Sequence, residues 1–402
     1  MKNTDYDVIV VGAGPVGSTA ARYAAKSGAN VLMIEDHASI GSPVSCTGLL
    51  STRAVSECDV HPSDNFVLNK VRGAFVHSMN GACLPVDGKK TKAYVVSRKN
   101  FDRTLAAMAV DSDVKLKINT RAIDLQNREG VQKLSVIENG DIKDITSKVV
   151  IGADGVRSRI AKMAGLGGVK KTLPGIQIEA PYNSPDKDFV ELFVGSQAPG
   201  FFGWTVPIDE KVSRIGMAVD YNNDENVSLH LERMLKSNSH ISSRYGGGQV
   251  DLVIGGIPLG PLEKTYSEGT LIVGDAAGQV KPTSGGGIYT GAACAKIAGE
   301  VAARAALEED NSAQRLSEYD RRWRAKIGKE LTMGMKIHSF MGGLGDSEMD
   351  ELIASMNKPP ILDTITTYGD MDHPSIVIKK LLSPSNSRHL FGVFKAFAKA
   401  VL

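Results

Sequence analysis

Near the start of the chain, three glycines and one carboxylate have the types and spacing needed to bind a nucleotide. Gly12, Gly14 and Gly17 follow the apolar run 8–11, and Glu35 ends a second apolar run. Such glycines permit a tight turn, close approach of a pyrophosphate and close packing of the next helix, whose positive dipole end faces the anion. A carboxylate about 20 residues downstream accepts hydrogen bonds from ribose hydroxyls and repels a 2′-phosphate. The pattern therefore predicts FAD or NAD rather than NADP; the alternative is a structural glycine turn in another α/β protein.

A single cysteine follows in a loop expected to pass near the nucleotide. Cys46 stands in segment 36–47, which is rich in glycine and serine and comes directly after the second predicted strand. Two interpretations of Cys46 stay open. It is a residue beside the cofactor, or it is a small buried apolar side chain.

Two later glycine turns repeat the pattern of a strand, an acidic turn and a helix. The first is Gly152-Ala-Asp154-Gly155, and the second is Gly274-Asp275, followed by Pro282 and the run 285–287 of three glycines. Consecutive glycines are costly in backbone entropy, so they indicate close approach of a ligand or of another backbone; a flexible loop is the alternative. The helix predicted at 289–306 would then present its N-terminus to an anion or dipole.

One arginine precedes a predicted helix between these turns. Arg98 stands just before the helix predicted at 105–110. Its side chain either holds a phosphate or a flavin edge, or is a solvated surface arginine.

The elements that must position these residues form two kinds of pattern. Buried strands and helices surround the glycine turns, whereas alternating runs at 173–265 predict an antiparallel sheet with one covered face and one helix, 229–235. Residues 66–96 contain alternating runs separated by Asn80-Gly81 and Asp87-Gly88, which predict an inserted antiparallel excursion with hairpin turns. A charged amphipathic helix is expected at 313–330.

Composition narrows the class of protein. The 402 residues carry a net charge of +2 with 23% charged residues, so bulk charge gives no reason to expect a nucleic-acid partner. The four cysteines form no C-x-x-C pair, which fits a reducing cytoplasm, although a disulfide between two of them stays open. The eight histidines show no metal-ligand spacing with the cysteines, so no metal site is expected.

One segment, at the C-terminal end, has a pattern that suits membrane contact. Elsewhere the sequence has no apolar run of the roughly 18 residues that a spanning helix needs, and the N-terminal residues do not match a signal peptide. Apolar residues at helical spacing in 390–401 form one face, which either packs in the core or lies at a membrane surface. We expect a cytoplasmic protein, with peripheral membrane contact as the open alternative.

Taken together, the three glycine turns resemble those of FAD-dependent oxidoreductases of the aromatic-hydroxylase (glutathione-reductase-2) fold. Within that fold, Phe202-Gly-Trp204-Thr-Val206-Pro207 resembles the aromatic-x-Trp-x-Phe-Pro signature of the geranylgeranyl reductases, and Cys46-Thr-Gly48 resembles their cysteine loop. The layout is similar to that of the archaeal digeranylgeranylglycerophospholipid reductases. The sequence departs from the signature with Phe202 where Tyr is common and Val206 where Phe is common.

The resemblance implies an α/β fold with three parts. These are a Rossmann-like FAD-binding domain of the glutathione-reductase-2 type, an antiparallel β-sheet substrate domain and a C-terminal helical region. We expect the FAD-binding domain at 1–165 and 266–315, with the hairpin insertion near 66–96. The substrate domain is expected at 166–265 and the helical region at 316–402.

The resemblance also implies site residues. The first glycine turn would lie under the pyrophosphate, Glu35 on the ribose, Arg98 and Asp275 along the pyrophosphate and ribityl chain, and the triple glycine at the flavin N1/O2 edge. The full set of implied cofactor contacts is Gly12, Gly14, Pro15, Gly17, Glu35, Asp36, Cys46, Gly48, Arg98, Ala122, Asp154, Gly155, Gly274, Asp275, Gly285, Gly287 and Ile288. Catalytic candidates are Cys46, Gly285, Gly286 and Gly287, and substrate-binding candidates are Phe202, Trp204 and Pro207.

The implied reaction is reduction of isoprenoid C=C bonds in archaeal-type membrane glycerolipid precursors. A hydride from flavin N5 and a proton saturate each bond, and Cys46, ordered water or a flavin proton are the candidate acids. The electron donor is NAD(P)H or a ferredoxin-like protein. Alternatives are a flavin monooxygenase or halogenase, a flavoprotein that passes electrons to a quinone, and a lipid carrier that retains flavin without catalysis. The halogenase motif Trp-x-Trp-x-Ile-Pro is not matched, because Phe202 replaces its first Trp.

Overall fold

The computed structural model describes residues 4–63, 65–220 and 226–383. Its strands are β1 (Tyr6–Val11), β2 (Val31–Ile34), β3 (Leu49–Ser51), β4 (Val67–Val71), β5 (Gly73–His77), β6 (Cys83–Asp87), β7 (Ala93–Val96), β8 (Lys115–Lys117), β9 (Thr120–Arg128), β10 (Val131–Glu138), β11 (Asp141–Gly152), β12 (Lys171–Pro181), β13 (Phe189–Phe193), β14 (Phe202–Pro207), β15 (Val212–Ala218), β16 (Asp251–Leu259), β17 (Tyr266–Ser267) and β18 (Thr270–Ile272).

Its α-helices are α1 (Pro15–Lys26), α2 (Thr52–Glu57), α3 (Arg98–Val110), α4 (Arg159–Met163), α5 (Val227–Ser237), α6 (Ser239–Ser242), α7 (Ile288–Leu307), α8 (Ala313–Trp323), α9 (Lys329–Gly342), α10 (Asp346–Met356), α11 (Pro359–Tyr368) and α12 (Pro374–Leu381). A 3₁₀ turn spans Gly274–Ala277, and a π-helical turn, Arg324–Gly328, joins α8 to α9.

The first sheet contains the parallel strands that hold the glycine turns. β1 lies in its centre and pairs in parallel with β2 and β11, and β11 pairs in parallel with β18. Helices α1, α3 and α7 cover one face with alanine-rich surfaces, which lets the helices approach the sheet closely. The hairpin strands β9 and β10 and helix α4 pack on the other face. Both faces are therefore buried, as the continuous apolar run of β1 predicts.

The second sheet has seven strands in the order β16-β12-β15-β14-β13-β5-β6. Its strands pair antiparallel except for the parallel pair β13 and β5. Helices α5 and α6 cover one face. The opposite face was predicted to be open, but residues of β6 and β14 contact α10 and α11 there. The sheet was predicted from its alternation, whereas the helices on its second face come from a distant part of the chain.

Residues 66–96 differ from the predicted excursion. The Asn80-Gly81 turn does join two antiparallel strands, β5 and β6. The predicted hairpin at Asp87-Gly88 is wrong, because β7 pairs with β3 and β4 in a separate three-stranded sheet. The chain changes sheet at Arg72, where β4 ends and β5 begins. Neighbouring runs with the same alternation thus belong to different sheets, and only their distant partners decide which.

The C-terminal part of the described chain is helical. The helix predicted at 313–330 is interrupted by the π-helical turn and continues as α9 to Gly342. Helices α9 to α12 pack around a shared apolar cluster. The apolar helix predicted at 390–401 lies outside the described residues. In the described ranges, no helix combines the length and apolar character needed to cross a bilayer.

Candidate active site

The first glycine turn fits a pyrophosphate. A Cβ on Gly12, which has φ +102°, would lie 2.4 Å from the Ala153 carbonyl oxygen, and one on Gly17 would lie 1.8 Å from the Gly12 carbonyl oxygen. A Cβ on Gly14 would meet no other described residue within 4 Å beyond its chain neighbours, because Gly14 faces the cavity. Helix α1 starts at Pro15 with no acidic residue in its first turn and no side-chain cap. Its free N–H groups and dipole therefore face the space that Gly14 leaves open.

Glu35 lies at the end of β2 beside this turn. Its Oε2 accepts a hydrogen bond from the Ala13 N–H at 2.9 Å, and its Oε1 accepts from the His37 N–H at 3.1 Å. The His37 ring Nδ1 lies 2.6 Å from Glu35 and 2.8 Å from Asp36. The carboxylate thus holds the glycine turn while it lines the cavity. This trio is also the one group of neighbouring metal-ligand side chains found in the described ranges, and it belongs to the nucleotide end of the cavity.

Asp154 has a mainly structural task. Its carboxylate accepts hydrogen bonds from the Ser158 hydroxyl at 2.6 Å and from the Arg159 N–H at 2.7 Å, which caps the start of α4. The cavity wall beside it includes Gly155, at φ +75°, and Ala122. Asp154 therefore fixes the turn whose backbone lines the cavity.

In the triple-glycine loop, each of the three positions requires glycine for a different physical reason. Gly285 has φ +68°, a Cβ on Gly286 would lie 3.0 Å from Lys281 Cε, and one on Gly287 would lie 2.6 Å from Asp275 Oδ1. These contacts show that the loop is closely packed, so the flexible-loop alternative is wrong. Helix α7 begins directly afterwards at Ile288, without an acidic first turn or a side-chain cap. Two helix N-termini, those of α1 and α7, therefore line one cavity.

Asp275 is a half-buried carboxylate on the cavity wall. Burial raises its pKa, and the positive charge of Arg98 acts in the opposite direction. Its carboxylate makes no hydrogen bond or ion pair with the described part of the chain. It is therefore free to accept hydrogen bonds from a hydroxyl-rich ligand such as a ribityl chain.

Arg98 is not a solvated surface arginine. Its side chain is 13% exposed and makes a bidentate pair with Asp102, with Nε–Oδ1 at 2.9 Å and Nη2–Oδ2 at 3.0 Å. Burial opposes its charge, but Asp102 and Cys46 outweigh burial and raise the pKa of Arg98. The guanidinium is therefore a fixed positive charge between the cysteine loop and Asp275.

Cys46 lies on the cavity wall with its thiol beside the Arg98 guanidinium. Its side chain is half-buried, so the interpretation as a buried apolar residue is wrong. Its Sγ accepts a hydrogen bond from the Gly48 N–H at 3.3 Å. All four cysteines are free thiols, which removes the disulfide alternative.

The sequence missed the residue that holds this loop. Arg214 on β15 donates to the Thr47 carbonyl at 2.6 Å and to the Val96 carbonyl at 3.1 Å. Arg214 stands in an ordinary alternating strand, so no local signal marks it.

Trp204 and Phe202 form part of an apolar wall. Trp204 Nε1 donates to Gln177 Oε1 at 3.0 Å, and its ring meets the Phe202 ring edge-on, with centroids 6.0 Å apart. A Cβ on Gly216, on the neighbouring strand, would lie 2.8 Å from Trp204 Cε2, so this glycine makes room for the indole. Side chains of α9 to α12 complete the wall, among them Met341, Leu352, Ile365 and Val377.

Three predicted contacts do not line the cavity. Pro207 ends β14 on the opposite side from Trp204 and Val206, because neighbouring side chains of a strand alternate between faces. Gly274 packs against Val16 of α1, and Gly48 packs against the Val96 carbonyl. Their conformations, at φ +71° and +75°, make them structural glycines. The other predicted site residues line a single cavity.

That cavity has a volume of about 1170 Å³. A site for one small ligand usually measures about 300–1,000 Å³. The cavity runs from the first glycine turn, past the triple glycine, to the Trp204 wall and the C-terminal helices. It can therefore hold a dinucleotide and an extended apolar ligand side by side.

A buried ion pair fastens the C-terminal helices to the triple-glycine loop. Lys281 Nζ lies 2.6 Å from Asp372 Oδ1, and both side chains are buried. In the same loop between α11 and α12, the His373 ring Nε2 lies 3.0 Å from the Tyr289 hydroxyl of α7. No sequence pattern predicts the Lys281–Asp372 pair, because its partners are 91 residues apart.

Comparisons with known proteins agree with this geometry. The family described as "FAD binding domain" matches residues 5–334. The chain is 37% identical over 363 residues to the digeranylgeranylglycerophospholipid reductase of Methanocaldococcus jannaschii, covering 89% of this chain and 92% of the relative. It is 35% identical to digeranylgeranylglycerophospholipid reductase 2 of Methanothermobacter thermautotrophicus, covering 87% and 91%.

Solved structures agree at the level of fold. A geranylgeranyl bacteriochlorophyll reductase-like protein from Thermoplasma acidophilum superposes with a TM-score of 0.83 at 27% identity, covering 94% of this chain and 98% of that one. The flavin-dependent halogenase CmlS has a TM-score of 0.69 at 17% identity, covering 100% and 77%. The latter likeness concerns the fold alone.

Proposed function

This chain belongs to the digeranylgeranylglycerophospholipid reductase family of FAD-binding proteins, and we propose on that premise that it reduces geranylgeranyl C=C bonds in glycerophospholipids. The observation that carries the proposal is the single cavity in which the nucleotide cradle continues into apolar walls. A polar site alone would suit many flavoenzymes. The apolar extension between the second sheet and helices α9 to α12 suits a long isoprenoid chain.

The residues present fit FAD. Gly14 leaves space for a pyrophosphate at the start of α1, Glu35 beside this turn would bind the ribose, and Asp275 faces the cavity without a partner among the described residues. When bound and reduced, FAD supplies the hydride. The N-terminus of α7 and the triple-glycine backbone would stabilise negative charge at the edge they face.

The walls position the substrate and exclude water. Phe202 and Trp204 on one side and Met341 and Leu352 on the other replace solvent around the chain. An isolated trisubstituted alkene accepts hydride poorly, so a proton must reach it before or during hydride transfer. Cys46 is the acid in this proposal, because its thiol lies on the cavity wall beside Arg98. The guanidinium would stabilise the thiolate that remains after the proton leaves.

The electron donor belongs to one of the two predicted classes, NAD(P)H or a ferredoxin-like protein. Either must deliver electrons to bound FAD before lipid reduction. Anaerobic addition of each donor to the oxidised protein, followed by the flavin absorbance, distinguishes them. A donor that leaves the flavin oxidised is excluded.

In this proposal the enzyme is cytoplasmic and contacts the membrane peripherally. Tyr368, Met371 and Ile376 are exposed at 42%, 40% and 42%, and they flank the α11–α12 loop, whose inner side lines the cavity. Such an apolar rim would meet the surface where the lipid resides. Flotation with vesicles tests it, and Ile376→Glu should reduce the floating fraction.

The function itself is tested by lipid mass. The purified flavoprotein is reduced anaerobically and mixed with a geranylgeranylated glycerol phospholipid. Each reduced bond adds two hydrogens to the lipid. Unchanged lipid mass with a fully reduced flavin would contradict the proposal, and oxygen consumed in step with product would indicate a monooxygenase instead.

A further inference from the structure

One arm of the cavity runs between strands β4 and β7 of the three-stranded sheet and strands β5, β13 and β14 of the seven-stranded sheet. Its walls are mainly small or branched apolar residues, among them Val71, Ala74, Ala93, Val190 and Val206. Trp204 packs against the same cluster at the inner end. The outer end is lined by Arg72, Gly88 and Lys92. We refer to this arm as the β4–β7 passage.

The aliphatic part of the Lys92 side chain packs on Gly88 at the outer end of the passage. A Cβ on Gly88 would lie 2.4 Å from Lys92 Cε and 2.6 Å from Lys92 Cγ, so the stem lies flat on the glycine. Backbone hydrogen bonds from Lys92 N to Val71 O, at 2.8 Å, and from Gly88 N to Arg72 O, at 2.9 Å, fix both chains. The ammonium group is therefore positioned by packing.

The charge of Lys92 has no partner within the described ranges, either as an ion pair or as a side-chain hydrogen bond. Arg98 and Lys281, which line the same cavity, are each paired with a carboxylate. The residue is half-buried, and its ammonium group is left to water or to a ligand. The Lys92 position thus suits a ligand with negative charge.

Arg72 lies beside it and reaches solvent. Its guanidinium is 2.6 Å from Asp87 and 3.6 Å from both Asp186 and Asp188, and its side chain is 36% exposed. The carboxylates neutralise Arg72 and hold it in place over the Phe189 ring. The passage therefore ends at solvent with a guanidinium that three carboxylates already surround and with one ammonium, that of Lys92, which has no charge partner among the described residues.

We propose that Lys92 binds the phosphate at the polar end of the lipid, so that an isoprenoid chain enters the β4–β7 passage toward Trp204. The inference rests on the proposed function, since it states where the phosphate end and the isoprenoid end of that lipid bind. A lysine at the mouth of an apolar passage suits a phosphate, because its ammonium is a compact charge that binds phosphate without fixed geometry. The apolar walls suit the chain that follows.

The experiment compares two lipids and two variants. Lys92→Met keeps the stem that packs on Gly88 but removes the charge. Lys90→Met is the matched control, since Lys90 is exposed, lies two residues away and does not line the cavity. Each protein is reduced with dithionite, which bypasses the natural donor. Single turnover is then measured with a geranylgeranylated glycerol phosphate and with the same lipid lacking the phosphate.

We expect Lys92→Met to raise the half-saturating concentration of the phosphate lipid about tenfold and to leave that of the neutral lipid unchanged. Lys90→Met should match the wild type with both lipids. Inorganic phosphate should compete with the phosphate lipid in the wild type and not in Lys92→Met if the site accepts phosphate alone. A headgroup effect without such competition identifies the lipid-borne phosphate as the ligand.

Other results overturn the inference. An equal loss with both lipids would show that Lys92 supports the passage rather than the phosphate, and an unchanged half-saturating concentration would remove Lys92 from binding. In either case wild-type turnover leaves the proposed function standing. If the wild type reduces neither lipid, the proposed function fails, and binding of the phosphate lipid to the oxidised proteins still decides the role of Lys92.

Discussion

The same added methyl group should lower the stability of the protein at one glycine of the first turn and its affinity for FAD at another. In Gly17→Ala the new Cβ would lie 1.8 Å from a backbone carbonyl oxygen, so α1 must move away from β1. Overpacking of this kind typically costs about 1–3 kcal/mol, and a clash with backbone lies at the upper end. We expect the free energy of unfolding of the FAD-free protein to fall by about 3 kcal/mol.

Gly14→Ala places its methyl in the open cavity. Gly14 has φ −67°, which alanine adopts without strain. A more restricted unfolded chain stabilises by about 0.4–1 kcal/mol, and the poorer N-cap costs a similar amount, so the stability of the FAD-free protein should hardly change. The methyl occupies space expected for the pyrophosphate. FAD affinity should therefore fall at least about tenfold, which is about 1.4 kcal/mol.

The assay measures denaturant unfolding of both FAD-free variants and their FAD affinity by flavin fluorescence. The pair controls itself, because the two positions lie in one turn and receive the same atom. If Gly14→Ala binds FAD like the wild type, or if it unfolds as easily as Gly17→Ala, the assignment of Gly14 to the ligand and Gly17 to packing is wrong.

Three further predictions concern Cys46, Asp275 and Asp372. Cys46→Ser should retain FAD but lose most lipid turnover, measured with prereduced enzyme; retained turnover would remove the catalytic role. Burial raises the pKa of Asp275, so its negative charge destabilises the folded wild type at neutral pH. This destabilisation disappears as the pH falls through that pKa and the carboxylate becomes protonated. FAD-free Asp275→Asn should therefore be at least as stable as the wild type at neutral pH, with a difference that shrinks on acidification; a variant that is less stable at every pH would contradict this. Asp372→Asn leaves Lys281 buried without its charge partner and should lower the free energy of unfolding by about 3 kcal/mol. Glu263→Gln, in the exposed pair with Lys170, should leave the free energy of unfolding without a measurable change. Equal effects of the two substitutions would show that burial does not set the strength of these pairs.

The glycine turns could be predicted because their chemistry is local. Gly12, Gly14 and Gly17 act within one strand, turn and helix, and Glu35 lies at the end of the next strand, so spacing along the chain is enough. Comparison with known proteins confirms the predicted FAD-binding fold and the family. Residue roles inside the cavity stay predictions, and the contact geometry has already removed Pro207, Gly48 and Gly274 from its wall.

Residues that act across long distances could not be predicted. Arg214 and Asp372 reach the site from a strand and a loop with no motif of their own. The change of sheet at Arg72 could not be predicted either. Strands β4 and β5 have similar alternation, but β4 pairs with β7 and β5 pairs with β13, and these partners lie further along the chain. Alternation states which face of a strand is apolar, but not which neighbour pairs with it.

The shared cavity gives a route by which the lipid would affect the retention of FAD. Both ligands would contact walls joined by the Lys281–Asp372 pair, so a shift of these walls on binding one ligand would change the free energy of binding the other. Such coupling is reciprocal: the factor by which lipid alters FAD affinity must equal the factor by which FAD alters lipid affinity. A cell short of lipid substrate would thus hold the enzyme with a different FAD occupancy from one in which substrate is abundant.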